Sequence, residues 1–327
     1  MTKNDTNVLK GIAILFMLFL HLFNHTDNWI DFIILDNIKL MTFLSEATNP
    51  VNFYLVLGGV GMYYLYKRHG NSQWRRILKL YIHYWIILAI FVTIGYVMNP
   101  NRYPGDLNTI ISNLTGFKTS YNAECWFLLP YSLLTLTSSF LFYLLDRYPK
   151  TTLIISFTIN IITMYIISRY GDQYLFNNMW LYNPFLVINM SFGFILGAAL
   201  IKYWYYVERI IKSLTRFSYL NWIFLLALVI TRCIIATDAV TSVYVLSFII
   251  LFLSTPRWDW VDKCLAHLGG HSMTMWLIHT WFCYYLFHNF IYSFTYPPLI
   301  FIILLLLTYI SSHIIKAIAR PIVSKIQ

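Results

Sequence analysis

The chain has 327 residues, of which 59% are hydrophobic and only 11% are charged. Soluble domains of ordinary composition carry about 25% charged residues, so the composition excludes a soluble globular protein and, more firmly, a disordered one. In a soluble protein the formal net charge of +10 would suggest nucleic-acid binding. Here the cytoplasmic excess of Lys and Arg in membrane proteins explains it better, and we expect no nucleic-acid partner.

Apolar runs in the sequence predict an all-α membrane protein with about ten transmembrane helices in one bundle. Each span needs roughly 20 apolar residues. Two shorter apolar pieces, residues 29–35 and 38–44, are predicted to be interfacial or re-entrant. No second domain is indicated, so residues 1–327 form a single domain. The predicted spans are 8–24, 50–66, 79–98, 126–145, 151–168, 180–201, 219–236, 238–254, 273–291 and 298–318.

The distribution of basic residues predicts the orientation of these spans. With the N-terminus inside, only five of the 23 Lys and Arg residues fall in outer segments, and all others are cytoplasmic. This bias is typical of membrane proteins and predicts cytoplasmic N- and C-termini. The five outer residues are Lys39, Arg102, Lys118, Arg169 and Arg232.

The first span carries two ionisable residues on one face. Lys10 and His21 are eleven residues apart, which places them about 20° from alignment after three turns and roughly 16 Å apart along a helix. His25 follows one turn later. An ionisable side chain is costly to place inside a membrane helix, so its presence there indicates a candidate functional site. The alternative is a neutral His21 hydrogen-bonded between helices. A His21–His25 metal pair lacks further ligands.

A second informative stretch, residues 66–79, lies between predicted spans two and three. It contains five cations, among them Arg75, Arg76 and Lys79. Ordinary anchoring at the cytoplasmic surface explains them. A site for a phosphorylated cytosolic ligand, which arginine binds in a bidentate manner, explains them equally well. No nucleotide-binding glycine motif is present.

The cysteines and the other histidines do not form a sequence pattern typical of metal sites. The four cysteines include no CxxC pair, and neighbouring histidines do not complete a zinc motif, so we predict no metal. A disulfide between Cys125 and Cys233 stays an alternative that no feature of the sequence supports. His267 and His271 are predicted to be solvated loop residues, and His313 to be structural or interfacial.

Three further residues are weaker functional candidates. Glu124 and Trp126 lie at the predicted outer end of span four, where Trp126 either lines a binding site or anchors the interface. His279 is predicted about two turns into span nine. It either supports a functional site or forms a hydrogen bond between helices.

Several segments, in order along the chain, resemble the acyltransferase-3 family of integral-membrane acyltransferases, which includes bacterial glycan O-acetyltransferases. The family's first span has a basic residue and a histidine at the spacing of Lys10 and His21. Asn7 stands where many members have Asp, and Lys79 where many have a second Arg. The resemblance covers nearly the whole chain and rests on residues 7–15 with His21, 53–59, 75–81, 124–128 and 272–279.

This resemblance implies transfer of an acyl group, most often acetyl from acetyl-CoA, to a hydroxyl of a cell-surface or exported glycan. Acetyl-CoA would be a substrate and no cofactor would stay bound. Lys10, Arg75, Arg76 and Lys79 would hold its phosphates, and the pantetheine arm is comparable in length to the Lys10–His21 separation.

On the same reading His21 is the general base, or the carrier of a covalent acetyl group. The residues that would bind the acceptor or support the catalytic ones are His25, Glu124, Trp126, Ser272 and His279. The expected partners are the acyl-CoA donor, a glycan or lipid-linked glycan, and membrane lipids. The expected location is a bacterial inner (plasma) membrane.

Two other classes of protein fit the composition. One is a polytopic transporter or glycan flippase without acyl-transfer chemistry, although the chain lacks recognisable halves with matching broken helices. The other is a non-catalytic membrane scaffold, in which substitutions of His21 would be silent.

Overall fold

The computed structural model describes residues 1–25, 29–30, 33, 39–68 and 73–326. Within these ranges the chain is helical, with one isolated bridge between Ile33 and Lys39 and no β-strand. The all-α class is therefore confirmed. The helices are α1 Lys3–Phe23, α2 Leu40–Ser45, α3 Pro50–Lys67, α4 Gln73–Met98, α5 Leu107–Thr115, α6 Leu128–Arg147, α7 Pro149–Tyr170, α8 Met179–Lys202, α9 Trp204–Leu214, α10 Leu220–Ile235, α11 Thr241–Ser254, α12 Asp259–Thr280, α13 His288–Tyr292 and α14 Pro297–Val323.

Among the described residues, six helical segments are long and apolar enough to cross a membrane. There is a seventh if Trp204–Phe217 and Leu220–Ile235, which are separated by a bend of 111°, form one broken span. A multi-pass membrane protein fits this architecture. The count of ten spans remains a prediction, because α10 and α11 have only 16 and 14 residues, fewer than a bilayer usually needs. The cytoplasmic location of both termini also remains a prediction.

The largest difference from the sequence prediction concerns α12. This helix begins at Asp259, fourteen residues before the predicted start of span nine. Its first half is polar, so hydropathy does not reveal it, yet His271 and Ser272 are buried against neighbouring helices. The predicted loop is therefore wrong for both His267 and His271, and the predicted solvent exposure is wrong for His271, whereas His267 is exposed.

Two other predictions concern the first connection and the cysteines. Of the interfacial pieces, residues 29–35 lie mostly outside the described ranges, whereas much of 38–44 belongs to α2. All four cysteines are free thiols, so the Cys125–Cys233 bridge is not formed.

Helices α1 and α12 pack backbone to backbone at two glycines. A Cβ atom on Gly11 would lie 2.1 Å from the carbonyl oxygen of Leu265, and one on Gly269 would lie 1.9 Å from that of Asn7. Small residues permit such close approach of membrane helices. Ten residues further along both helices, the rings of His21 and His279 lie beside each other. The two helices are therefore parallel.

Helices α3 and α8 form a second close pair built in the same way. Cβ atoms on Gly59 and Gly197 would each lie 1.9 Å from a backbone oxygen of the facing helix, that of Phe194 and Val56 respectively. This pair is also parallel, and its members are predicted spans two and six. We call the end of the bundle that carries Lys10 the inner end, and the end that carries His21 the outer end.

The outward faces of several helices are apolar. On α7 and α10, Ile154, Tyr165, Ile223 and Ile234 are all at least 60% exposed. Large contiguous apolar surfaces of this kind are rare on soluble monomers. These faces are suited to contact with lipid acyl chains.

At the inner end, one carboxylate joins three helices. Asp146 of α6 accepts a hydrogen bond from the Tyr63 hydroxyl at 2.7 Å. It also forms ion pairs with Lys67 of α3 at 2.5 Å and with Lys202 of α8 at 3.1 Å. The cluster therefore holds the α3–α8 pair against α6.

Replacing Asp146 by Asn is expected to destabilise the protein by about 1–3 kcal/mol, because two lysines then lose their counter-charge. Partial solvent exposure keeps the loss below that of a fully buried pair. The measurement is thermal unfolding in detergent. The matched control is Glu208→Gln, which removes an exposed pair with Lys212 and should change stability by less than about 0.5 kcal/mol. Equal effects of the two substitutions would contradict this assignment.

Candidate active site

The outer end of α1 meets the end of α12, where the helix changes its winding. Residues Trp281–Tyr285 form a π-helical turn directly after Thr280. Such turns shift side chains relative to a regular α-helix and are frequent at functional sites. Here the turn presents Tyr284 to α1, so that α1 and α12 together form a polar cluster in an otherwise apolar bundle.

His21 points toward α12. Its Nδ1 lies 3.2 Å from the Tyr284 hydroxyl, and its ring centroid lies 4.9 Å from that of His279. The Tyr284 hydroxyl has one proton, which it donates to Asn24 Oδ1 at 3.2 Å, so it accepts from His21 Nδ1–H. This network leaves the lone pair of His21 on Nε2, in the form that a proton acceptor requires.

His279 is fully buried on the last turn of α12, rather than two turns into a span as the sequence suggested. Its Nδ1 donates to the carbonyl oxygen of Trp276 at 2.6 Å. Its Nε2 therefore carries a lone pair, and it has no hydrogen-bond partner in the described part of the chain. An unsatisfied buried acceptor costs about 1–3 kcal/mol. A second proton-accepting nitrogen thus lies in the same cluster as His21.

His25 belongs to the same cluster but is held by its neighbours. Its Nδ1 lies 2.8 Å from Asn24 Oδ1, and its Nε2 lies 3.4 Å from the Tyr292 hydroxyl. The ring also packs against Tyr284 with a centroid separation of 5.4 Å. These contacts suit a residue that positions Asn24 and Tyr284.

A 3₁₀ helix over Ala123–Phe127, just before α6, closes the cluster on one side. Thr280 donates to Asn122 Oδ1 at 2.8 Å, and the amide of Ala123 donates to the Tyr285 hydroxyl at 2.9 Å. Glu124 is half-buried here and close enough to Tyr284 and Tyr285 to act on them electrostatically. The structure therefore places Glu124 near Tyr284 and Tyr285, which adjoin the histidines.

Two other predicted residues lie apart from this cluster. Trp126 is half-buried, and its ring packs on Phe127 at 6.0 Å. Ser272 is buried on α12, seven residues before His279 and so roughly 10 Å closer to the inner end. Its hydroxyl donates to the carbonyl oxygen of Gly269.

At the inner end, the predicted donor-binding cations are separated. Arg76 reaches into the bundle, where its Nη1 lies 3.7 Å from Met62 Sδ, and its charge acts on that of Lys10. Arg75 instead stacks over the ring of Trp74, 5.6 Å from the ring centroid. The carbonyl oxygen of Lys79 accepts from His83 Nδ1 at 2.7 Å. Of these four cations, Lys10 and Arg76 are thus the two close enough for their charges to act on each other.

Sequence reasoning did not single out four residues that complete the outer cluster. Tyr284 has a position typical of interfacial aromatic anchors, so nothing in the sequence distinguishes it. Asn24 is the last residue of the first predicted span, and Asn122 lies four residues before the fourth. Arg102 lies over the ring of Tyr285 at 4.7 Å, and its only sequence signal is a positive charge in a predicted outer segment.

The fold is that of a multi-pass membrane protein, with a cluster of histidines at one end of a helix whose other end is cationic. A family model described as "Acyltransferase domain", that of the acyltransferase-3 family, matches residues 4–316. The chain therefore belongs to the acyltransferase-3 family. No curated protein and no solved structure shows significant similarity to it.

Proposed function

We propose that this acyltransferase moves an acetyl group from acetyl-CoA to a hydroxyl of a cell-surface or exported glycan, with His21 as general base. The observation that carries the proposal is the pair of imidazole lone pairs at the outer end of α1 and α12. One belongs to Nε2 of His21 and the other to the unpartnered Nε2 of His279.

The chemical step follows from this arrangement. The acceptor oxygen attacks the thioester carbonyl carbon while His21 Nε2 takes the hydroxyl proton. The C–S bond then breaks, and the imidazolium returns the proton to the CoA thiolate, which yields the O-acetyl ester and free CoA. Tyr284 keeps the His21 ring oriented through Nδ1. His279 Nε2 accepts a hydrogen bond from the acceptor and so positions it.

The donor enters from the inner end. Lys10 lies on the same helix as His21, eleven residues earlier, or roughly 16 Å along the axis. Lys10 and Arg76 bind the CoA phosphates, and the pantetheine arm extends along α1 toward His21. Arg75 and Lys79 add positive charge at the mouth, and the acceptor meets Glu124 at the outer end.

The enzyme acts in the inner membrane of a bacterium, on a glycan or lipid-linked glycan. The transporter alternative is not favoured, because the chain belongs to an acyltransferase family. The test is mass spectrometry of envelope glycans from cells with the intact gene and with a His21→Ala allele. We expect acetylated glycan from the intact gene alone. Identical acetylation in both strains would refute the proposal.

Replacing Arg76 by Ala is expected to raise the KM for acetyl-CoA at least tenfold, because a charge-assisted phosphate contact near Lys10 is lost. The matched control is Arg75→Ala, since that side chain stacks on Trp74 and not toward Lys10. Its effect should be less than about threefold. The measurement is initial rate against donor concentration in detergent. A larger effect at Arg75 than at Arg76 would contradict this donor site.

A further inference from the structure

Three histidines from two helices converge near the inner end, away from the proposed active site. His267 and His271 lie four residues apart on α12, and His313 lies on the facing side of α14. One ring nitrogen can be chosen from each of the three residues so that the three nitrogens all lie within 4.8 Å of one another. The His271 and His313 ring centroids are 4.2 Å apart. From this convergence we propose a binding site for a divalent transition-metal ion such as zinc.

The hydrogen bonds around His271 leave one ring nitrogen ready for a metal. Its Nδ1 lies 2.8 Å from the Ser312 hydroxyl. Ser312 donates its single proton to the carbonyl oxygen of Tyr309 at 2.6 Å, so it accepts from His271 Nδ1–H. The lone pair of His271 is therefore on Nε2, as a metal ligand requires.

His267 is held in a similar way. Its Nε2 lies 2.7 Å from the Tyr309 hydroxyl. Each α12 histidine is thus oriented by a hydroxyl group of α14. Metal-binding histidines usually have such a partner on the second ring nitrogen, which fixes the ring and its tautomer. A histidine that only packs in a helix interface would not need two histidine neighbours.

The ligand set points to the class of metal. Imidazole suits zinc, copper, nickel and iron, and three histidines leave a fourth position for water. Nitrogens bound to one tetrahedral zinc are about 3.4 Å apart, so nitrogens now within 4.8 Å of one another need to close by at most about 1.4 Å. Bound metal would join α12 to α14 and so stabilise the helix that carries His279.

One nearby charge opposes metal binding. The Lys316 ammonium donates to the carbonyl oxygen of Gly270 at 2.7 Å, one residue from His271. Its positive charge repels a divalent cation. Removing this charge should therefore tighten metal binding, whereas it would have no such effect on histidines that only pack.

The test uses the purified full-length protein, without a polyhistidine tag, stripped of metal in detergent. Cobalt(II) is the probe, because tetrahedral cobalt has visible absorption bands, and zinc is the competitor. We expect about one cobalt ion per chain, displaced by zinc, and an increase in the unfolding temperature on zinc addition. No bound cobalt in folded protein would overturn the proposal.

Three variants locate the ion. His313→Ala removes an exposed ligand and should weaken cobalt binding at least 100-fold with little effect on folding. Lys316→Gln should tighten it severalfold. His288→Ala, outside the cluster, should leave it unchanged. Binding that persists in His313→Ala, or that is lost equally in His288→Ala, would mean that the metal binds elsewhere and would also overturn the proposal. None of these outcomes depends on acyl transfer.

Discussion

Replacing His21 by Ala is expected to lower acyl transfer by about 10²–10⁴-fold, which is the usual contribution of a positioned general base. The half-buried ring makes its polar contact with Tyr284, so its loss should leave the fold intact. The measurement is acetyl transfer by purified protein, with thermal unfolding and gel filtration as checks. Near-normal turnover in a folded variant would remove His21 from the mechanism.

Tyr284→Phe is the companion variant. It keeps the ring but removes the oxygen that accepts from His21 Nδ1–H, so a smaller loss in kcat is expected, with the KM for acetyl-CoA unchanged. A covalent acetyl-His intermediate is the rival mechanism. It predicts an acetylated protein in the intact mass spectrum when acetyl-CoA is added without acceptor. The general-base mechanism predicts an unmodified protein.

The alignment of Lys10 with His21 could be predicted from the sequence because it depends only on the periodicity of one helix. The contact between His21 and His279 could not, because it depends on the register of α1 against α12. That register is set by Gly11 and Gly269, which sequence periodicity does not connect. Each histidine is a separate candidate in the sequence, and nothing there places the two in contact.

The histidines at the inner end illustrate the same limit. His267 and His271 occur in a polar stretch, which hydropathy assigns to a loop. In the structure that stretch is helical, because α1 and α14 cover one of its faces. His313 is 42 residues beyond His271, a separation that no local metal motif contains. Their convergence follows from tertiary packing alone.

Replacing Gly269 by Ala is expected to have a large effect far from the reacting groups. The added methyl group would lie 1.9 Å from the backbone oxygen of Asn7, and a backbone cannot move aside as a side chain can. Overpacking of this kind costs about 1–3 kcal/mol. It also forces α1 away from α12, which carry His21 and His279. A misplacement of about 1 Å can cost 10²-fold in rate.

The neighbouring glycine is the matched control for this prediction. A Cβ atom on Gly270 would have no atom of another element within 4 Å, and alanine is the better helix former. Gly270→Ala should therefore keep acyl transfer within about twofold and leave the unfolding temperature unchanged or slightly higher. Rates and unfolding temperatures of the two variants, measured side by side, separate packing from helix propensity. If both variants keep full activity, close α1–α12 contact does not set the distance between the two histidines.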